Sequence, residues 1–79
     1  MHKRIVEAIT EAITKRDYPD IIRIFVDDKT TDGFWRMIII VDPEYQHLIP
    51  HIKGIASRIG HFYGEGLGIS VWKNTIELS

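Results

Sequence analysis

FWRMIIIV, residues 34–41, is apolar on both faces of an extended chain, with Arg36 the one exception. Successive side chains of a strand point to opposite sides of the sheet. A strand with this pattern is one covered on both sides. The rest of the sequence supplies cover for one side. Ile5, Val6, Ile9, Ala12 and Ile13 recur at helical spacing, so residues 3–16 read as an amphipathic helix with charged residues on its other face. Asp17-Tyr18-Pro19-Asp20 ends it, because the residue before a proline is pushed out of the α region. A second helix is predicted from about Ile49 to Tyr63: Ile52, Ile55, Ala56, Ile59 and Phe62 keep the period, and Pro50 suits a first turn.

Between and after the helices the chain reads as strands. IIRIFV (Ile21–Val26) is the first, with Ile22, Ile24 and Val26 pointing one way and Ile21, Arg23 and Phe25 the other. DDKTTDG (Asp27–Gly33) ends on an Asp-Gly turn signal and is expected to be a hairpin loop. Asp42–His47 reads as a loop or short turn. LGISVWK (Leu67–Lys73) is expected as a third strand, interrupted by Asn74 and followed by a short extended tail, Thr75–Leu78. The expectation is an α+β, α-β-β-α-β two-layer sandwich: a three-stranded sheet with two helices on one face, in a single domain spanning 1–79. The uncovered face then needs a partner, and a second copy of the chain is the simplest one.

The 79 residues include no cysteine, so disulfides and thiolate metal sites are excluded. Fifteen isoleucines fit a dense, β-branched core. A net charge of −1 is not the basic excess of a dedicated nucleic-acid binder. The longest purely apolar run, Met37–Val41, is far too short to span a bilayer. The charged N-terminal stretch MHKRIVEAITEAITKR lacks the continuous apolar segment of a signal peptide. A soluble cytoplasmic protein without membrane insertion is expected.

Gly64, Gly66 and Gly68 raise the question of a phosphate-binding loop. Such loops follow a strand and open a helix, where free N–H groups and the positive dipole end meet the anion. Here the order is reversed, and Glu65 adds a negative charge. Gly64 is better read as a helix-terminating residue with positive φ. Gly54 and Gly60, inside the second helix, read as places of close packing. No Ser-His-Asp, Walker or HExxH pattern is present, so no enzyme is expected. Asp27, Asp28 and Asp32 cluster in the hairpin loop without an EF-hand spacing and read as a solvated turn.

His47 and His51, four apart, are the candidate metal ligands, and Zn²⁺ or another divalent metal is the one cofactor they suggest. Pro50 places His47 before the helix and His51 in its first turn, so a complete site needs a ligand from elsewhere, such as a second subunit. His51 and His61 stand ten residues apart, roughly 15 Å along a helix, too far to share an ion. Phe34, Trp35, Tyr45, Phe62, Tyr63 and Trp72 are aromatics of the kind that stack on single-stranded nucleic acid, though on strands they more often form core or interface.

VDPEYQHLIPHIKGIA (Val41–Ala56) resembles the strand end, Asp-Pro turn and first-turn histidine of the cytoplasmic C-terminal domain of cation diffusion facilitator transporters. The resemblance covers the element order over about the length of this chain. It implies a dimer binding Zn²⁺ partly across the subunit interface. Only His51 carries over; the last strand, ISVWKN (Ile69–Asn74), lacks the family's histidine, and the membrane-spanning part is absent. IKGIASRIG and LGISVW are similar in pattern to K-homology type II and BolA-like domains. The Gly-x-x-Gly clamp on nucleic acid is replaced by DPEYQHLI. The expected function is a small non-enzymatic binding or regulatory module acting as a homodimer, with a divalent-metal link at His47 and His51 and room for a protein partner. The alternative is a K-homology-like nucleic-acid-binding domain lacking the clamp.

Overall fold

The computed structural model of the chain describes residues 2–13, 20–27 and 35–79. Helix α1 (His2–Thr10) is followed by strands β1 (Ile22–Asp27) and β2 (Arg36–Val41), a 3₁₀ helix (Pro43–Leu48), helix α2 (Ile49–Phe62), and strands β3 (Ile69–Trp72) and β4 (Thr75–Leu78). Among the described residues the protein is α+β, with two α-helices and a four-stranded, wholly antiparallel sheet of order β1-β2-β4-β3. The C-terminal part of the expected first helix (14–16), the proline-containing turn up to Pro19 and most of the Asp27–Gly33 loop lie outside the described residues.

The sheet has four strands where three were expected. Thr75–Leu78 is no tail: it pairs with both β2 and β3 and occupies the interior of the sheet. The cause is a two-residue turn. Trp72 pairs with Thr75, so Lys73 and Asn74 alone reverse the chain, with Lys73 at φ +55°. Asn74 then ties the turn to the end of β2. Its carbonyl accepts from the Val41 N–H at 2.9 Å, and its Nδ2 donates to the Val41 carbonyl at 2.7 Å. The side chain completes a ladder that the backbone has just left.

Registers divide the sheet into two faces. Ile22, Ile24 and Val26 stand level with Val41, Ile39 and Met37; Ile76 and Leu78 follow on β4, and Val71 and Ile69 on β3. This is the helix-covered face. Met37, Ile39, Val41, Ile76 and Leu78 are buried there with Ile5, Ile9 and Ile13 from the first helical segment and Ile49, Ile52, Ile55 and Ala56 from α2. Val26 and Val71, on the outer strands of the same face, remain exposed.

α2 starts and stops as its sequence dictates. The Asp42 carboxylate accepts from the Glu44 N–H at 3.3 Å, opening the 3₁₀ helix that the sequence suggested only as a loop or short turn. Pro50 sits in the first turn of α2, where its missing N–H costs no hydrogen bond. At the far end Gly64 has φ +72°. The Gly64 N–H donates to the His61 carbonyl at 3.0 Å and the Glu65 N–H to the Gly60 carbonyl at 2.9 Å. These two bonds are a Schellman cap, so the glycine loop closes a helix. Gly60 packs closely: a Cβ built there would lie 2.6 Å from Leu67 Cδ1. Gly54 does not, its nearest neighbour being Arg58 at 4.0 Å.

Candidate functional site

The face away from the helices is the feature that calls for a function. Pairing places its side chains in rows across the strands β1-β2-β4-β3. Arg23, Ile40, Thr75 and Trp72 form one row; Phe25, Ile38, Glu77 and Ser70 form the next; Asp27 and Arg36 begin a third. Ile38 and Ile40 are half-buried at the centre. Phe25 is 55 % exposed and Trp72 72 % exposed at the two sides. The apolar second side of β2, legible in the sequence, therefore opens onto a face that none of the described helices covers.

Polar groups rim the apolar centre. Arg36 Nε lies 3.2 Å from Glu77 Oε1, a diagonal pair whose side chains are both about half exposed. Water screens such a pair, so it orients more than it stabilises. The Lys73 ammonium lies 5.2 Å from the centroid of the Trp72 ring, a cation–π contact at the sheet margin. At the head of β1, Asp20 to Arg23, Phe25 and Ile40 to Pro43 line a shallow depression beside this face.

The metal candidates lie elsewhere. His47 falls near the end of the 3₁₀ helix and His51 in the first turn of α2, both exposed on the connection from β2 to α2. The Tyr45 and His47 rings are 6.3 Å apart and tilted. Among the described residues no three histidine, aspartate or glutamate side chains gather as metal ligands would. Imidazoles suit zinc, but a tetrahedral site needs four ligands, of which His47 and His51 would be at most two. Asp28 and Asp32 of the acidic loop lie outside the described residues.

Among the described residues the aromatics do not gather into a platform. Trp35 packs partly buried against the core. Phe62 and Tyr63 meet edge to face at 5.1 Å at the end of α2, beside a shallow groove lined also by Ala8, Ala12 and Arg58. Phe34 lies outside the described residues. Among the described residues no helix is long and apolar enough to cross a membrane.

What sequence reasoning missed was the contribution of β4 to the open face, Thr75 and Glu77. Its signal was present: TIEL alternates, and Lys73-Asn74 before it is the length of a tight hairpin turn. No family model matches the chain, and neither a curated protein nor a solved structure matches it.

Proposed function

We propose that this chain is a small non-enzymatic binding module that acts as a homodimer, a second copy closing its open sheet face. The observation that carries the reading is the apolar centre of that face, Ile38 and Ile40, flanked by the exposed Phe25 and Trp72. Stacked sheets pack about 10 Å apart and interdigitate such side chains into a core. A chain of 79 residues buries too little surface to be generously stable alone, so a shared core also serves its stability.

The metal part of the reading is separable. His47 and His51 are proposed to hold Zn²⁺ or a similar ion together with ligands from another chain. The alternative, a K-homology-like nucleic-acid surface, fits less well. Phe25 and Trp72 stand on the two outer strands, three strand spacings or roughly 14 Å apart at about 4.8 Å each. Bases along one strand of DNA repeat at roughly 3.4 Å, so these rings are not placed to stack successive bases.

The test is native mass as a function of concentration, for the wild type and for Ile38→Lys. The wild type is expected at an even multiple of the 9.2 kDa chain mass. Ile38→Lys, with an unchanged circular dichroism spectrum, is expected at half the wild-type copy number. A wild type that stays monomeric at high micromolar concentration removes the reading.

A further inference from the structure

The free edge of β3 is a second surface with a chemistry of its own. Gly68 and Ser79 exchange both backbone hydrogen bonds, at 2.9 and 3.0 Å. Bonded and non-bonded pairs alternate along an antiparallel ladder. Ser70 and Trp72 therefore bond to β4, and the N–H and C=O groups of Ile69 and Val71 point outward. Among the described residues no strand adjoins β3 on that side. Natural edges are usually guarded by charge, proline or a bulge. β1, the other outer strand, carries Arg23 and Asp27. β3 reads ISVW, with no charge and no proline.

We infer that β3 pairs antiparallel with β3 of a second copy about a two-fold axis at Ser70, joining two sheets into one of eight strands. This register sets Ile69 against Val71 of the second copy, twice, and so uses every outward group of both strands. On the helix-covered side it lays exposed Val71 beside Ile69 of the second copy. On the open side Trp72 falls opposite Gly68 of the second copy, where an indole covers bare backbone as aromatic side chains do beside strand glycines. Ser70, small and exposed, meets its own copy at the axis. Lys73 comes alongside residues 65–67 of the second copy, which carry Glu65 of opposite charge.

A four-residue edge buries less than the roughly 1,200 Å² of a standard stable interface. On its own it makes a weak, concentration-dependent pair, which a second contact would strengthen. Edge pairing lies in the plane of the sheet, and the face contact proposed above lies perpendicular to it. The two do not compete, and where their two-fold axes meet at right angles they give a closed assembly of four copies. The edge proposal stands without the face reading, and the two fail differently.

The chain has no cysteine, so Ser70→Cys introduces a single thiol. Paired about the axis, two such residues have Cα atoms about 4.5 Å apart, within the 4.4–6.8 Å range of a disulfide. Copies stacked face to face, about 10 Å apart, are beyond it. Mild oxidation of Ser70→Cys is expected to convert most of the protein to a species of twice the chain mass. Lys53→Cys, on the exposed side of α2, is expected to remain single. Cross-linking of Ser70→Cys no better than of Lys53→Cys, or efficient cross-linking of Phe25→Cys in its place, overturns the proposal. Ser70→Lys and Ser70→Glu give an independent check. Each alone is expected to halve the native copy number, and an equimolar mixture to restore it; two charge variants that assemble like the wild type also overturn it. Ile38→Lys without effect, alongside a cross-linked Ser70→Cys dimer, would discard the face contact and keep the edge.

Discussion

Gly54 and Gly60 look alike in the sequence, both at the interior of one predicted helix. The structure separates them, because only Gly60 faces the returning chain at Leu67. Gly54→Ala is expected to stabilise the fold by about 0.5–1 kcal/mol, the difference in helix propensity, with nothing to clash against. Gly60→Ala gains the same propensity but drives a methyl group into Leu67. Overpacking costs about 1–3 kcal/mol, so a net loss of about 1 kcal/mol is expected. Urea midpoints of the two variants check both signs; equal midpoints would mean that Leu67 moves aside at no cost. Gly64 was legible without the structure, since a glycine after the last periodic position of a helix has one common use. Gly60 was legible only as a glycine in a helix, because its neighbour is seven residues away in a loop whose path no local pattern gives.

At the level of elements, periodicity placed α2 to within a residue and gave β1 and β2 their correct facing. It failed at β4. Thr75–Leu78 alternates, but over only four residues, a weak signal, and Asn74 reads as the end of a strand as readily as half of a turn. What makes it an interior strand is long-range pairing with Met37–Ile40, which sequence spacing cannot display. The assignment has a direct consequence. Ile76 is fully buried between β2 and β3, so Ile76→Ala is expected to cost about 3 kcal/mol, in the range for a core isoleucine. A peripheral tail would lose almost nothing. Equilibrium unfolding in urea distinguishes the two, and a change below about 0.5 kcal/mol would contradict an interior β4. The open face was half legible: the apolar second side of β2 was plain, whereas its neighbours Thr75, Glu77 and Trp72 depended on knowing the strand order.

For the whole molecule, self-association and metal binding are proposed at different places, the sheet and the β2–α2 connection. Association through the sheet is therefore expected to survive loss of the histidines, whereas metal binding is expected to depend on the other chain as well. His51→Ala is expected to weaken Zn²⁺ binding by roughly tenfold or more in calorimetric titration, while leaving the metal-free native mass unchanged. Zinc affinity unaltered by His51→Ala would remove the metal from the proposal and leave the sheet contacts standing. In the sequence His47 and His51 stand out as a pair by their spacing alone; no spacing marks the further ligands that a complete shell would need.

The interior position of β4 also bears on how the protein is made. A ribosome delivers β1, β2 and α2 first, and until Leu78 has left the exit tunnel β2 has a bare inner edge. That edge belongs to MIII, the most apolar run in the chain. Non-local pairing is slow to form, and unpaired apolar strands are where nascent chains misassociate. The isoleucine-rich centre that gives the finished sheet its core is thus, for the time needed to add the last strand, the segment most in need of shelter by a chaperone.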